Sequence, residues 1–207
     1  MNELSQFSEN TQIDDITGVI LAGGSSSRMG SNKALLEVDG SPIITRIYRT
    51  LASLFNEVII VTNSPGDYDF IPCRKEPDIY PGYGSIAGLH AALIHSSSAY
   101  SFVTACDMPF IDAMIIRSLC GLRNAVDDAV VPSSEGGQEP LHALYSSACK
   151  DVFETALKRG ERKIQDVLKR MKIRKVTYEE LQSLGCQATS FLNVNTPEDY
   201  EVIRRIS

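Results

Sequence analysis

Short apolar runs recur along this chain and alternate with longer stretches whose apolar residues return every three or four positions. Val19-Ile20-Leu21, Val58-Ile59-Ile60-Val61-Thr62, Ser101-Phe102-Val103-Thr104-Ala105 and Ala129-Val130-Val131 read as strands buried on both faces. Shorter strands are expected over residues 71–75, 141–145 and 173–177, the second after a Gly136-Gly137 turn and a candidate for antiparallel pairing. Ser41-Pro42 has the form of an N-cap followed by proline at the first helical position, and a helix from there to about residue 55 turns Ile43, Ile47, Leu51 and Leu54 toward a core. Further helices are predicted over 85–95, from an Asp112 cap to about 123, over 147–158 and over 162–171. Thr196-Pro197-Glu198-Asp199 supplies a cap, a proline and an acidic first turn for a closing helix, anchored by Tyr200, Val202, Ile203 and Ile206.

A strand, a helix and a strand at this spacing imply a right-handed parallel crossover. The alternation through the chain therefore predicts an α/β fold, a three-layer sandwich with a mostly parallel sheet. Ligands of such sheets sit outside the carboxyl ends of the strands. The loop after Leu21, Asp78 and Asp107 all fall on that edge. No repeat or linker divides the chain, so residues 16–207 read as one domain behind a polar, acidic tail over 1–15.

Composition narrows the function classes. The 207 residues are 43% hydrophobic and 22% charged, ordinary values for a globular chain with one good core. A formal net charge of −6 argues against a nucleic-acid surface, so any substrate phosphates have to be met by a local cluster of cations. The five cysteines are scattered without a CxxC pair, which fits reduced thiols in a cytoplasmic protein and no zinc site. The first residues lack the basic start and apolar centre of a signal peptide, and no apolar run reaches the ~20 residues that span a bilayer, so no membrane partner is expected.

The chemistry concentrates first in Gly18 to Lys33, GVILAGGSSSRMGSNK. An apolar strand stops at Gly23-Gly24, three serines follow, and Arg28 and Lys33 add fixed positive charge. Backbone amides with cations make an anion site, although a Gly/Ser connection also serves any α/β domain. Two common phosphate motifs are excluded by spelling: Gly30 is followed by Ser31-Asn32-Lys33 where Walker A needs Gly-Lys-Ser/Thr, and GxGxxG is absent after the strand. Asp107 directly follows a strand and precedes Pro109. A carboxylate there can hold Mg²⁺, which keeps water and substrate phosphates as its other ligands, or it can simply cap or turn the chain.

Leu21 to Lys33, L-A-G-G-x-x-x-R-M-G-x-x-K, resembles the signature of nucleotidyltransferases that use a nucleoside triphosphate, and most closely the molybdenum cofactor guanylyltransferase branch of the MobA-like NTP transferase family. Four further segments carry the resemblance over nearly all of residues 17–203. Ala105-Cys106-Asp107-Met108-Pro109 is similar to the family's x-x-D-x-P, whose Asp binds magnesium. Pro81 to Leu89 resembles PGxGPLAGL, with Ser85 and Ile86 in place of Pro and Leu. Gln138 to Tyr145 is similar to the segment lining the molybdopterin side, and Asn193 to Glu198 to the family's NVNTPE.

The resemblance implies a Rossmann-like nucleotidyltransferase fold and transfer of GMP from GTP to the terminal phosphate of molybdenum-molybdopterin, with Mg²⁺ as cofactor. By the same likeness Leu21, Ala22, Gly23, Gly24, Lys33, Asp78 and Asp107 hold the nucleotide, and Arg28, Lys33 and Asp107 carry catalysis, Asp107 as the metal ligand. Asp78 can accept from guanine N1–H and N2–H or contact the ribose. Gly82, His142, Arg162, Asn193 and Asn195 fall on the acceptor side, with one asparagine alternatively capping the last helix. Molybdoenzymes or their chaperones are implied as recipients of the product. Gly23-Gly24, where cytidylyl relatives tend to carry Ala-Gly, favours guanine, and the NVNTPE tail favours this branch over molybdopterin cytidylyltransferases and sugar-phosphate nucleotidyltransferases. Arg28, Lys33 and Asp107 together speak against a non-catalytic carrier.

Overall fold

The computed structural model describes residues 12–23 and 32–206. β1 (Ile13–Leu21) is the central strand of the main sheet, flanked in parallel by β4 (Phe55–Val61) and β6 (Tyr100–Ala105). β5 (Arg74–Glu76) extends the sheet beyond β4 in parallel. On the other side β9 (His142–Ser146) runs antiparallel between β6 and β7 (Ala129–Ser134), and β10 (Ile173–Val176) closes that edge parallel to β7. The order is thus β5-β4-β1-β6-β9-β7-β10, with the short β8 (Gly137–Gln138) pairing with β7. The chain leaves β1 toward one side and later returns to its other side, which creates a switch point between β1 and β6.

Alternate residues of the central strands feed two cores, which explains their unbroken apolar runs. Ile20, Ile60 and Phe102 face one core with α1 (Ile43–Leu54), α3 (Ala113–Gly121), α6 (Tyr178–Ser183) and α7 (Pro197–Ile206). Val19, Ile59, Val61 and Val103 face the other with α2 (Ser85–His95), α4 (Lys150–Lys158) and α5 (Ile164–Leu168). The result is the three-layer α/β sandwich expected from the sequence. α2 is buried on nearly every side from Ile86 to Leu93, as a helix that is apolar all round has to be. None of the described helices is long and apolar enough to cross a membrane.

Several boundaries differ from the sequence reading for definable reasons. The tail expected over 1–15 ends earlier, because Ile13 pairs with Phe55 and residues 13–15 belong to β1. The acidic residues there are satisfied at the strand's open end, Asp14 accepting from Asn56 at 2.7 Å and Asp15 from Arg123 at 3.1 Å. Proline stands at the cap of α1 and not inside it, since Ser41–Pro42 (β3) pairs with Glu37–Val38 (β2) across a tight turn. That turn places Asp39 and Gly40 at φ of 52° and 69°, the two positive values that a two-residue hairpin demands. α6 was absent from the expected elements although Thr177 and Glu180 form a full capping box; its six residues are too few to show a helical period. In α7, Ile203 is buried, whereas Val202 and Ile206 are half exposed, so those two expected anchors are not in the core.

Candidate active site

The register of the sheet lines up the site. Glu76, Val61, Leu21 and Ala105 are partners across four neighbouring parallel strands. Two residues beyond each, in the same order, come Asp78, Asn63, Gly23 and Asp107. The intervening residues continue the ladder: Thr62 N–H donates to Glu76 O at 2.8 Å, Ala22 N–H to Val61 O at 2.9 Å, and Cys106 N–H to Leu21 O at 3.1 Å. Four loops therefore leave the carboxyl edge side by side at the switch point, where a ligand binds in folds of this type.

At one end of the row Asn63 and Asp78 hold each other reciprocally. Asn63 Nδ2 donates to the Asp78 carboxylate and Asp78 N–H donates to Asn63 Oδ1, both at 3.0 Å. Burial raises the Asp78 carboxyl above its ordinary pKa and the Asn63 bond partly offsets this. α2 comes in at Gly88, where a Cβ would lie 3.5 Å from Leu21 Cδ1 and 3.8 Å from Asp78 Oδ1. Leu21, Asp78 and the start of α2 thus meet at one point. By composition Asn63 only opens a loop, Asn63-Ser64-Pro65-Gly66-Asp67. Its signal lay in the offset: it follows the end of its strand by the same two residues as Asp107 follows β6.

At the other end stands Asp107. Its Oδ1 is buried without a hydrogen-bond partner, and burial raises its carboxyl above the ordinary value while the Lys33 ammonium opposes that rise. An orphaned, partly desolvated carboxylate oxygen in the field of a cation is an arrangement that suits a ligand for a hard cation. Among the described residues no group of three or more His, Cys, Asp or Glu could enclose a metal. Asp107 therefore fits a divalent ion whose remaining ligands come from substrate and water, and no closed protein cage.

Lys33 opens a short 3₁₀ turn, Lys33–Leu35, and its ammonium donates to Asn195 Oδ1 at 3.0 Å. The Asn193 to Thr196 segment is fastened to the row because Val194 N–H donates to Asp107 O at 2.9 Å. Asn193 is turned to its own chain, donating to Phe191 O at 3.3 Å. Gly82 and Arg162 are brought together: Arg162 Nη1 donates to Gly82 O at 2.7 Å and its guanidinium lies 4.7 Å from the Tyr83 ring centroid. Gly82 and Gly84 have φ of 85° and 73°, which only glycine adopts readily, so the loop before α2 requires them.

His142, for which the sequence leaves a pocket or a core position open, stands in the core. It was expected on the acceptor side, yet its side chain is 0% exposed, edge-on to Phe102 and Phe191 at 5.1 and 5.4 Å. It lies on β9 facing the core, and burial lowers its pKa to about 3. Such a ring presents no surface to a ligand and stays uncharged at neutral pH. Gly24 and Arg28 lie outside the described residues.

A mostly parallel sheet with Gly23 two residues past its central strand, a lysine, and a metal-fit aspartate after the neighbouring strand are the frame of a nucleotidyltransferase. The chain belongs to a particular family of these: the profile of the MobA-like NTP transferase domain matches residues 18–176. It is 36% identical over 190 residues to a molybdenum cofactor guanylyltransferase of Desulfosudis oleivorans, covering 91% of this chain and 94% of the relative. It is 39% identical over 183 residues to a probable molybdenum cofactor guanylyltransferase of Pelotomaculum thermopropionicum, covering 88% and 89%. Among solved structures it is similar to molybdopterin-guanine dinucleotide biosynthesis protein A from Archaeoglobus fulgidus, with a TM-score of 0.80, 29% identity, and 92% and 97% of the two chains covered. Nucleotidyltransferases of this kind generally use a divalent metal.

Proposed function

We propose that this chain transfers GMP from GTP to the terminal phosphate of molybdenum-molybdopterin, releasing pyrophosphate and forming the guanine dinucleotide cofactor. The single observation that carries the chemistry is the unpartnered, buried oxygen of Asp107 in the field of the Lys33 charge, at the carboxyl edge that Leu21 also reaches. The relatives' names supply the base and the acceptor.

In this reading the main-chain groups of Leu21 to Gly23 receive the nucleotide, and the Asp78 carboxylate, held by Asn63, accepts from the guanine edge or the ribose. Asp107 would hold Mg²⁺, which supplies charge neutralisation of the phosphate oxygens. The Lys33 ammonium offsets the charge that develops on the leaving pyrophosphate, a role Arg28 shares by its place in the signature. The attacking acceptor phosphate is already anionic, so no general base is needed, in keeping with a buried, neutral His142. Positioning and charge compensation then account for catalysis, as in other phosphoryl transfers. Gly82, Arg162 and Asn193 are assigned to the acceptor side by the family likeness. Five free thiols among the described residues accord with a cytoplasmic setting, where molybdoenzymes or their chaperones would receive the product.

The test is pyrophosphate release in the presence of Mg²⁺ and molybdenum-molybdopterin with GTP, CTP, UTP or ATP supplied in turn. Turnover with GTP is expected, preference for CTP would move the chain to a cytidylyl reaction, and GTP binding without turnover would make it a carrier. In the same assay Asp107→Asn keeps the side-chain shape but removes the charge that holds the metal. It is expected to lower kcat by roughly 100-fold or more with the fold intact by circular dichroism. Near-normal turnover would remove Asp107 from the metal site.

A further inference from the structure

The acceptor-side role expected for Asn195 does not explain its contacts. Asn195 is exposed, yet its backbone is fixed from both directions. Val194, fully buried, donates its N–H to Asp107 O at 2.9 Å, and the N–H groups of Asn195 and Thr196 both donate to Asp199 Oδ2, at 2.9 and 2.8 Å. Thr196 Oγ1 returns a bond by accepting from Asp199 N–H at 3.2 Å, which closes the start of α7 around the segment. From that anchored backbone the Asn195 amide oxygen reaches the Lys33 ammonium at 3.0 Å, across 162 positions of sequence. Lys33 has a four-carbon stem with several free torsions, and an exposed ammonium on such a stem samples many positions unless something holds it. An ammonium has three donors, so one spent on Asn195 leaves two for phosphate oxygens.

We propose that Asn195 is a positioning residue for Lys33: the closing segment holds the lysine ammonium beside the Asp107 carboxylate, ready for the triphosphate, and so acts on the nucleotide and not on the acceptor. The proposal rests on the reading of Lys33 as a triphosphate ligand given above. Asp199 contributes at one remove by holding the Asn195 backbone, and Asn193, bonded to Phe191 O, does not share the role.

The experiment is a double-mutant cycle read by calorimetric binding of GTP with Mg²⁺, no acceptor being present, so that an acceptor contact cannot contribute. The proteins are the full chain, Asn195→Ala, Lys33→Met, the double variant, and Asn195→Asp, which keeps an oxygen acceptor for the ammonium. Hydrogen bonds to charged groups set the scale, and Asn195→Ala is expected to weaken GTP binding roughly tenfold, with no further loss when Lys33 is already Met. Asn195→Asp is expected to stay within about threefold of the unaltered chain. Unchanged or tighter GTP binding by Asn195→Ala, or losses that add in the double variant, would overturn the proposal while leaving the triphosphate reading intact. A Lys33→Met protein that binds GTP normally would overturn that reading, and the proposal with it. The exposed position of Asn195 makes a folding failure visible as a separate event, checked by thermal melts of each variant.

Discussion

Between Phe102 and Phe191 the His142 imidazole has little to stabilise a positive charge. Its Nδ1 lies 3.3 Å from Thr104 Oγ1 and its Nε2 has no partner. Burial lowers its pKa to about 3 in the folded chain, from 6.5 when free. The sign follows directly. Between those two values the unfolded chain binds a proton that the folded chain refuses, so stability present above pH 6.5 is lost as the pH falls. From pH 7 to pH 5 this one group is expected to remove about 2 kcal/mol, read as a falling urea midpoint. His142→Gln should flatten that part of the acid limb, and an equally steep limb in the variant would assign the slope to other groups. Asp107 is the opposite case at the same scale. Burial opposes its charge as well, but the Lys33 ammonium offsets part of the cost of an ionised carboxylate there.

Among the elements, β1, α1 and β4 form the frame from which the glycine loop is hung, and Gly18 is the point of closest approach. A Cβ there would lie 2.8 Å from Phe55 Cδ2 and 3.4 Å from both Leu51 Cβ and Val58 Cγ2. The Phe55 ring is 2% exposed and stacked 6.1 Å from Phe102, so it has little room to withdraw. Gly18→Ala is therefore expected to destabilise the fold by about 1–3 kcal/mol in chemical denaturation, and an unchanged midpoint would show that the ring yields. This frame was legible in the sequence because Val19 to Leu21 and Val58 to Val61 are apolar on both faces, as buried parallel strands require. What escaped notice was short or governed by pairing. The six residues of α6 carry too little periodicity, and Ser41–Pro42 reads as a helix start until its partner Glu37–Val38 is known. Val202 and Ile206 look like core residues by type, but α7 lies at the margin of its layer and turns them toward solvent.

At the scale of the whole molecule both cores share one sheet, so neither can be lost without exposing strands that the other covers. Far-ultraviolet and tyrosine near-ultraviolet signals are accordingly expected to change together on heating, as one cooperative transition. Two separated transitions would divide residues 16–207 into independent units. The candidate site was only partly legible in the chain for a related reason. The glycine loop and Asp107 announce themselves by position after an apolar run. Asn63 gains meaning only when β4 and β5 are in register, and Asn195 only when the closing segment returns to Asp107.

That return also orders events in time. During vectorial synthesis on the ribosome, β1, β4, β5 and β6 emerge first, and N-terminal structure can form early. The Asp107 carbonyl then waits for Val194, and Lys33 for Asn195, which lies 162 positions further along the chain. The nascent chain can thus pair these strands well before it has made the segment that holds the lysine in place.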